Sequence, residues 1–123
     1  QLAMHKLLKK IRGSGAIVAI STDFPEEIVA GRIASPLIVG TSRDENFFAS
    51  DMPAVLEYTH NFIVINDFET VRITRNKVEI FNSDCKLIER EPFKVSWSIE
   101  SAEKVFYFVF LFIVFFLLSY GVY

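Results

Sequence analysis

Few side chains in this sequence are of types that do chemistry, and their spacing limits what they can do. His5 and His60 are the two histidines. Neither lies at three- or four-residue spacing within a set of metal ligands, so the usual zinc pattern is missing and surface or satisfied core histidines are expected. Cys85 is the single cysteine. A thiol becomes a nucleophile when a base and a positive environment lower its pKa, but Cys85 follows Asp84, whose charge works the other way, and a turn residue is expected. Glu26 with Glu27, and Asp44 with Glu45, are the carboxylate pairs that general acid–base chemistry would call on. Adjacent residues on a strand or turn point to different sides, so solvated charge is the expectation for both. Gly13 and Gly15 precede an apolar run instead of following one, the wrong order for a phosphate-cradling loop.

The elements that would position these residues are legible from pattern. Met4, Leu7, Leu8 and Ile11 recur at helical spacing, which predicts a helix over 2–12 stopped at Gly13. The run 16–20 is apolar throughout and predicts a strand buried on both faces, with a second strand through 28–30 returning beside it. Strands are predicted at 37–39 and 47–49, then a short helix opened by Ser50 or Asp51 with Pro53 in its first turn and ending near Tyr58. Further strands follow at 62–65, about Val71 and Ile73, at 78–81 and at 86–88. The expected fold class is α+β, strand-rich. Residues 89–104 alternate charged and apolar residues without sustained period, as an exit segment or linker does.

Bulk properties narrow the function classes. The chain has 123 residues, 51% hydrophobic and 23% charged, which is the composition of one globular domain. Its formal net charge of -2, with both signs interspersed, excludes the basic footprint of a nucleic-acid binder. A lone cysteine and an N-terminus without signal-peptide character point to a reducing, cytoplasmic setting. The chain opens on Gln1 inside a helical pattern, and a piece of a longer protein is expected.

Read in order, several segments resemble the glutaminase domain of the glutamine:fructose-6-phosphate aminotransferase family. They are Lys10-Ile-Arg-Gly-Ser-Gly-Ala16, Ala30-Gly-Arg-Ile-Ala-Ser-Pro-Leu-Ile-Val-Gly40, Glu45-Asn-Phe-Phe-Ala-Ser-Asp51, Pro53-Ala-Val-Leu-Glu-Tyr-Thr59, Val78-Glu-Ile-Phe81, and Arg90-Glu-Pro-Phe-Lys94 with Trp97. The resemblance implies a class II glutamine amidotransferase with the N-terminal nucleophile hydrolase fold, two antiparallel sheets between helices. Residues 1–88 would be the C-terminal half of that domain. The family's nucleophile is the thiol of the first residue of the mature protein, activated by its own α-amino group, and it releases ammonia from glutamine through a thioester. The ammonia passes to an isomerase domain that converts fructose 6-phosphate to glucosamine 6-phosphate. The nucleophile, an arginine-tryptophan-threonine-histidine stretch and an asparagine-glycine pair belong to the first half of the domain. The resemblance therefore assigns no catalytic, cofactor-binding or metal residue to this chain, which is expected to be inactive alone. The expected partners are the missing N-terminal half and the isomerase domain, with glutamine and fructose 6-phosphate as the parent's substrates. Related amidotransferases of purine or asparagine synthesis share the fold, but the wording at Ser35-Pro36-Leu37 and Glu45-Asn46-Phe47 favours the sugar enzyme.

Two departures from the family pattern stand out. Gly15 occupies the place of an aromatic residue, and Ala34 the place of a glycine before Ser35-Pro36-Leu37; a methyl group there strains the turn if its φ is positive. After Lys104 the match stops, and 105–123 is an uncharged run rich in phenylalanine. Its length is close to the roughly 20 apolar residues that cross a bilayer, with tyrosines near both ends, so a helical membrane anchor is the literal reading. A frameshift or truncation in an A/T-rich gene is the competing one. A membrane-tethered, non-enzymatic relic or binding module is accordingly the second function class.

Overall fold

The computed structural model describes residues 1–96. The apolar segment 105–123, its expected helix and its membrane reading lie outside the described residues, as does Trp97. Among the described residues no helix is long and apolar enough to cross a membrane.

The described body is mostly antiparallel sheet with one short helix, α1 (Leu2–Leu8). Strands β1 (Gly15–Ser21), β2 (Phe24–Ile33), β6 (Thr70–Ile73), β7 (Val78–Phe81) and β8 (Leu87–Ile88) form one sheet in the order β1-β2-β6-β7-β8. Strands β3 (Ile38–Thr41), β4 (Asn46–Ala49), β5 (Asn61–Val64) and β9 (Phe93–Lys94) form the other in the order β4-β3-β5-β9. Alternation along each strand sorts its residues between layers. Ala30, Val71, Ile73 and Ile80 from the first sheet meet Leu37, Val39, Ile63 and Ile65 from the β3–β5 side in one buried cluster. The opposite face of the second sheet sends Ile38 and Phe62 into a second cluster with Val55, Leu56 and Val95.

The helix packs on the outer face of the first sheet, and Gly31 makes that possible. A Cβ at Gly31 would stand 2.6 Å from Leu8 Cδ1 and 3.2 Å from Met4 Cγ, so a larger residue there forces these helix side chains to shift. The layers therefore run helix, sheet, sheet, and then the 50–59 segment, an arrangement compatible with part of a two-sheet sandwich.

Several sequence expectations are corrected by this arrangement. The helix ends at Leu8, with Lys9 as its C-cap and Lys10 N–H bonded to Leu7 O at 2.9 Å, so the last periodic residue, Ile11, lies beyond it. The predicted helix after Asp51 is a single 3-10 turn over Met52–Ala54. Asp51 makes no side-chain cap, and Val55 leaves helical geometry at φ -125 and ψ 5, so the 3-10 turn gives way to a separate turn in which Tyr58 and Thr59 N–H donate to Val55 O. The strand expected to be buried on both faces is exposed: Val18 is 51% and Ile20 81% accessible, because β1 is the edge of its sheet. Residues 93–95, read as irregular, pair and pack: β9 joins β5, and Val95 is buried. Ala34 does sit at φ 52, the left-handed geometry in which a methyl group is strained.

Candidate functional site

The residues singled out for chemistry are scattered over different layers. His5 lies in α1, 4% exposed, with Nδ1 unpartnered among the described residues. His60 precedes β5 in the other sheet, with its Nδ1 3.2 Å from Val95 O, while Val95 N–H donates to His60 O at 2.9 Å. These contacts clip the β9 segment to the body, a structural role. Cys85 occupies a turn at φ 62, its N–H bonded to Asn82 O at 2.9 Å. Asn82 Oδ1 accepts from the N–H groups of Asp84 and Lys86, both at 3.0 Å, so the turn is organised by the asparagine and the thiol is incidental to it.

The carboxylates are solvent-facing as expected, with Glu26, Asp44 and Glu45 exposed and Glu27 partly so, but their spatial grouping is not the one along the chain. Glu26 and Glu27 do point apart, but Glu26 joins the other pair: with Asp44, Glu45 and Arg75 it lines an open cleft of about 280 Å³ between the β1–β2 hairpin and the turns after β3 and β6. Glu27 instead looks across the outer face toward Arg72, at 3.9 Å. No metal-holding group of three or more His, Cys, Asp or Glu residues occurs among the described residues. Nor does any nucleophile there have a base in hydrogen-bond contact, the minimum that acyl-transfer chemistry requires.

The best-built polar constellation is one the sequence reading missed. Glu69, 6% exposed, takes Arg90 in a two-pronged pair, Nη1 to Oε2 at 2.6 Å and Nη2 to Oε1 at 2.8 Å. Asn66 N–H donates to the same carboxylate at 2.8 Å, and Arg90 Nη1 also reaches Val64 O at 3.0 Å. Burial alone would raise the Glu69 pKa, but the bonds from Arg90 and Asn66 outweigh it and hold the carboxyl below its usual range. The same partnership raises Arg90. Because Arg90 follows β8 of one sheet and Val64 ends β5 of the other, the pair ties the layers together. No spacing rule announces partners 21 residues apart.

Two further ion networks are also structural. On the outer face, Arg72 stands opposite Glu79 across the β6–β7 pairing and bonds to it through Nε at 2.7 Å and through Nη2. Lys77 Nζ adds a contact to Glu79 at 2.6 Å, and Lys77 first and Arg72 second draw the Glu79 pKa down. That pair was findable: a hairpin turning at Arg75-Asn76-Lys77 sets residues 72 and 79 face to face. At the other end, Arg32 bonds Ile65 O at 2.8 Å and Asp67 at 2.8 Å, and Asp67 Oδ1 accepts the Ala34 N–H at 2.8 Å. Asp67 thus holds the strained Ala34 turn. Every strong charge contact described here holds backbone or layers in place; none leaves a group aimed at a substrate.

Comparison with known proteins supplies what the geometry does not. No family model matches the chain. It is 46% identical over 102 residues to the glutamine–fructose-6-phosphate aminotransferase (isomerizing) of Thermus thermophilus, a match covering 83% of this chain and 17% of that protein. Against the same enzyme from Fusobacterium nucleatum identity is 42% over 101 residues, 82% of this chain and 17% of the relative. Against that of Methanosarcina acetivorans it is 40% over 106 residues, 86% of this chain and 17% of the relative. The chain thus spans about a sixth of the length of these curated relatives.

Proposed function

Because the chain belongs, as a segment, to the glutamine–fructose-6-phosphate aminotransferase family, we propose that it is the second half of that family's glutaminase domain, a scaffold that carries none of the catalytic groups. The match over more than four fifths of the chain carries this reading. Two packed antiparallel sheets with a helix on one outer face support the N-terminal nucleophile hydrolase sandwich as its parent fold. In the whole protein the domain would hydrolyse glutamine and hand ammonia to the isomerase domain for transfer to fructose 6-phosphate. This stretch would hold the sheets and the domain exit in register for that chemistry. His5, His60 and Cys85 are not its machinery: none has a partner that would activate it, and the family's nucleophile is an N-terminal residue.

The test is a glutaminase assay on the purified chain, alone and mixed with the part of the Thermus thermophilus aminotransferase that precedes the matched 102 residues. The expected result is no ammonia release by the chain alone and measurable release by the mixture. Glutamine hydrolysis by the chain alone would overturn the scaffold assignment, and its loss in Cys85→Ala would place the nucleophile at Cys85.

A further inference from the structure

Three buried side-chain atoms lack a hydrogen-bond partner among the described residues: His5 Nδ1, Thr70 Oγ1 and Arg32 Nε. The rest of the Arg32 guanidinium is engaged, with Ile65 O and Asp67. His5 and Thr70 are different. Neither side chain bonds to any described group, although His5 is 4% exposed and Thr70 fully buried. A buried polar atom left without a partner loses its hydration and gains nothing in return, so folded proteins pair nearly all of them, with ordered water where no protein group arrives.

Both atoms belong to one interface. Val71 and Ile73 enter the cluster between the sheets, so alternation turns Thr70 and Arg72 to the outer face. Thr70 stands opposite Gly31, the residue over which α1 sets Met4 and Leu8. Arg72, two residues further along that face, is partly exposed, so the cover over Thr70 is that of the helix. On the helix, Ala3, Met4 and Leu7 line the groove toward the β1–β2 hairpin, and the winding carries His5 about 100° past Met4, away from Ala3 and Leu7. β6 flanks β2 on the side away from β1, so His5 turns toward the strand that carries Thr70. An imidazole nitrogen and a hydroxyl, each buried and each without a protein partner, thus enter the helix–sheet layer from opposite sides.

We propose that His5 and Thr70 form an internal hydration site, with one ordered water held between His5 Nδ1 and Thr70 Oγ1. Both groups can donate or accept, so a single water satisfies the two together, and a buried water is held by about two to four such partners. The bridge gives α1 a directional tie to β6. Met4 and Leu8 alone hold the helix by apolar contact, which tolerates rotation and sliding; a bridged hydrogen bond does not. The site stands on this chain's own residues and is independent of the family reading.

A crystal structure of the full chain tests the site directly. One water within about 3.2 Å of both atoms is expected. A direct bond between the two side chains, a dry interface, a water on one atom only, or a group from residues 97–123 in its place would overturn the inference. Denaturant unfolding supplies a second reading through a double-mutant cycle. Thr70→Val keeps the shape and removes the hydroxyl; it should raise the unfolding equilibrium constant at least about fivefold more in the native chain than in the His5→Leu background, where the water has already lost a partner. Thr70→Ser keeps the hydroxyl and should show no such difference between the two backgrounds. An equal effect of Thr70→Val in both backgrounds would overturn the inference, as would stabilisation of the native chain by Thr70→Val, the result for a hydroxyl that had no partner to lose. Where a variant does not fold, the native chain still decides by NMR: a long-lived water should cross-relax with both the Thr70 methyl and the His5 ring, and cross-relaxation with neither sinks the site.

Discussion

β3 with β5 and β1 are built from nearly the same residues and meet opposite fates. Leu37-Ile38-Val39 and Phe62-Ile63 are buried to within 6% exposure, while Ala16-Ile17-Val18-Ala19-Ile20 lies at a sheet edge with Val18 and Ile20 largely in water. Intrinsic strand preference does not separate them, since both are β-branched and apolar. What differs is supply of neighbours. β3 has β4 and β5 on its two edges, the first sheet on one face and the 50–59 segment on the other; β1 has β2. Among the described residues, then, equally apolar strands are buried or exposed according to which segments pack around them.

The largest effect should come from the filled region. Phe62→Ala removes a fully buried ring at the centre of the second cluster and should cost about 3–5 kcal/mol in denaturant unfolding, whereas Phe24→Ala, at a 61% exposed ring, should stay within about 0.5 kcal/mol. Comparable losses at the two sites would break the contrast. Next is the tie between layers. Arg90→Ala strands the buried Glu69 carboxylate and should cost about 3 kcal/mol, and adding Glu69→Gln should recover part of it in a double-mutant cycle.

Acid should act through the same group. With the folded-state pKa values of Glu69 and Glu79 below the ordinary range, their contribution is fully present above the unfolded value of about 4.3 and is lost as pH falls through the folded values. An acid titration of stability should therefore be flat above about pH 5 and fall below about pH 4, more shallowly in Glu69→Gln. Gly31→Ala should cost about 1–3 kcal/mol by forcing Leu8 and Met4 away, and it should raise exchange in α1 before it does in β3. The smallest effect has the opposite sign: Ala34→Gly should stabilise by about 1 kcal/mol, because glycine accepts φ 52 without the methyl clash. A neutral or destabilising result would mean that the Asp67 bond already relaxes the turn.

Much of this architecture was legible residue by residue. The strands about Val39, Phe48, Ile63, Val71 and Ile80 stand where apolar runs and alternation place them, and the turn at Arg75-Asn76-Lys77 joins β6 to β7. The strain at Ala34 follows from a methyl group where the family pattern has glycine. The second helix misled, since proline and a capping residue promise a start but one turn needs a continuing set of i to i+4 bonds, and Val55 ends it. The carboxylate cleft was invisible for a different reason: Glu26 lines it with Asp44 and Glu45 although they lie about 20 residues apart along the chain, which no local spacing encodes.

The sequence by itself determined lineage and most strand positions, because each depends on residue identity and near neighbours along the chain. Only the tertiary structure decided that Glu69 and Arg90 lock the layers, that α1 packs over Gly31, and that β1 is the outermost strand of the described sheet. Those facts depend on which distant segments meet, and an apolar strand is the same five residues whether or not anything arrives to cover it.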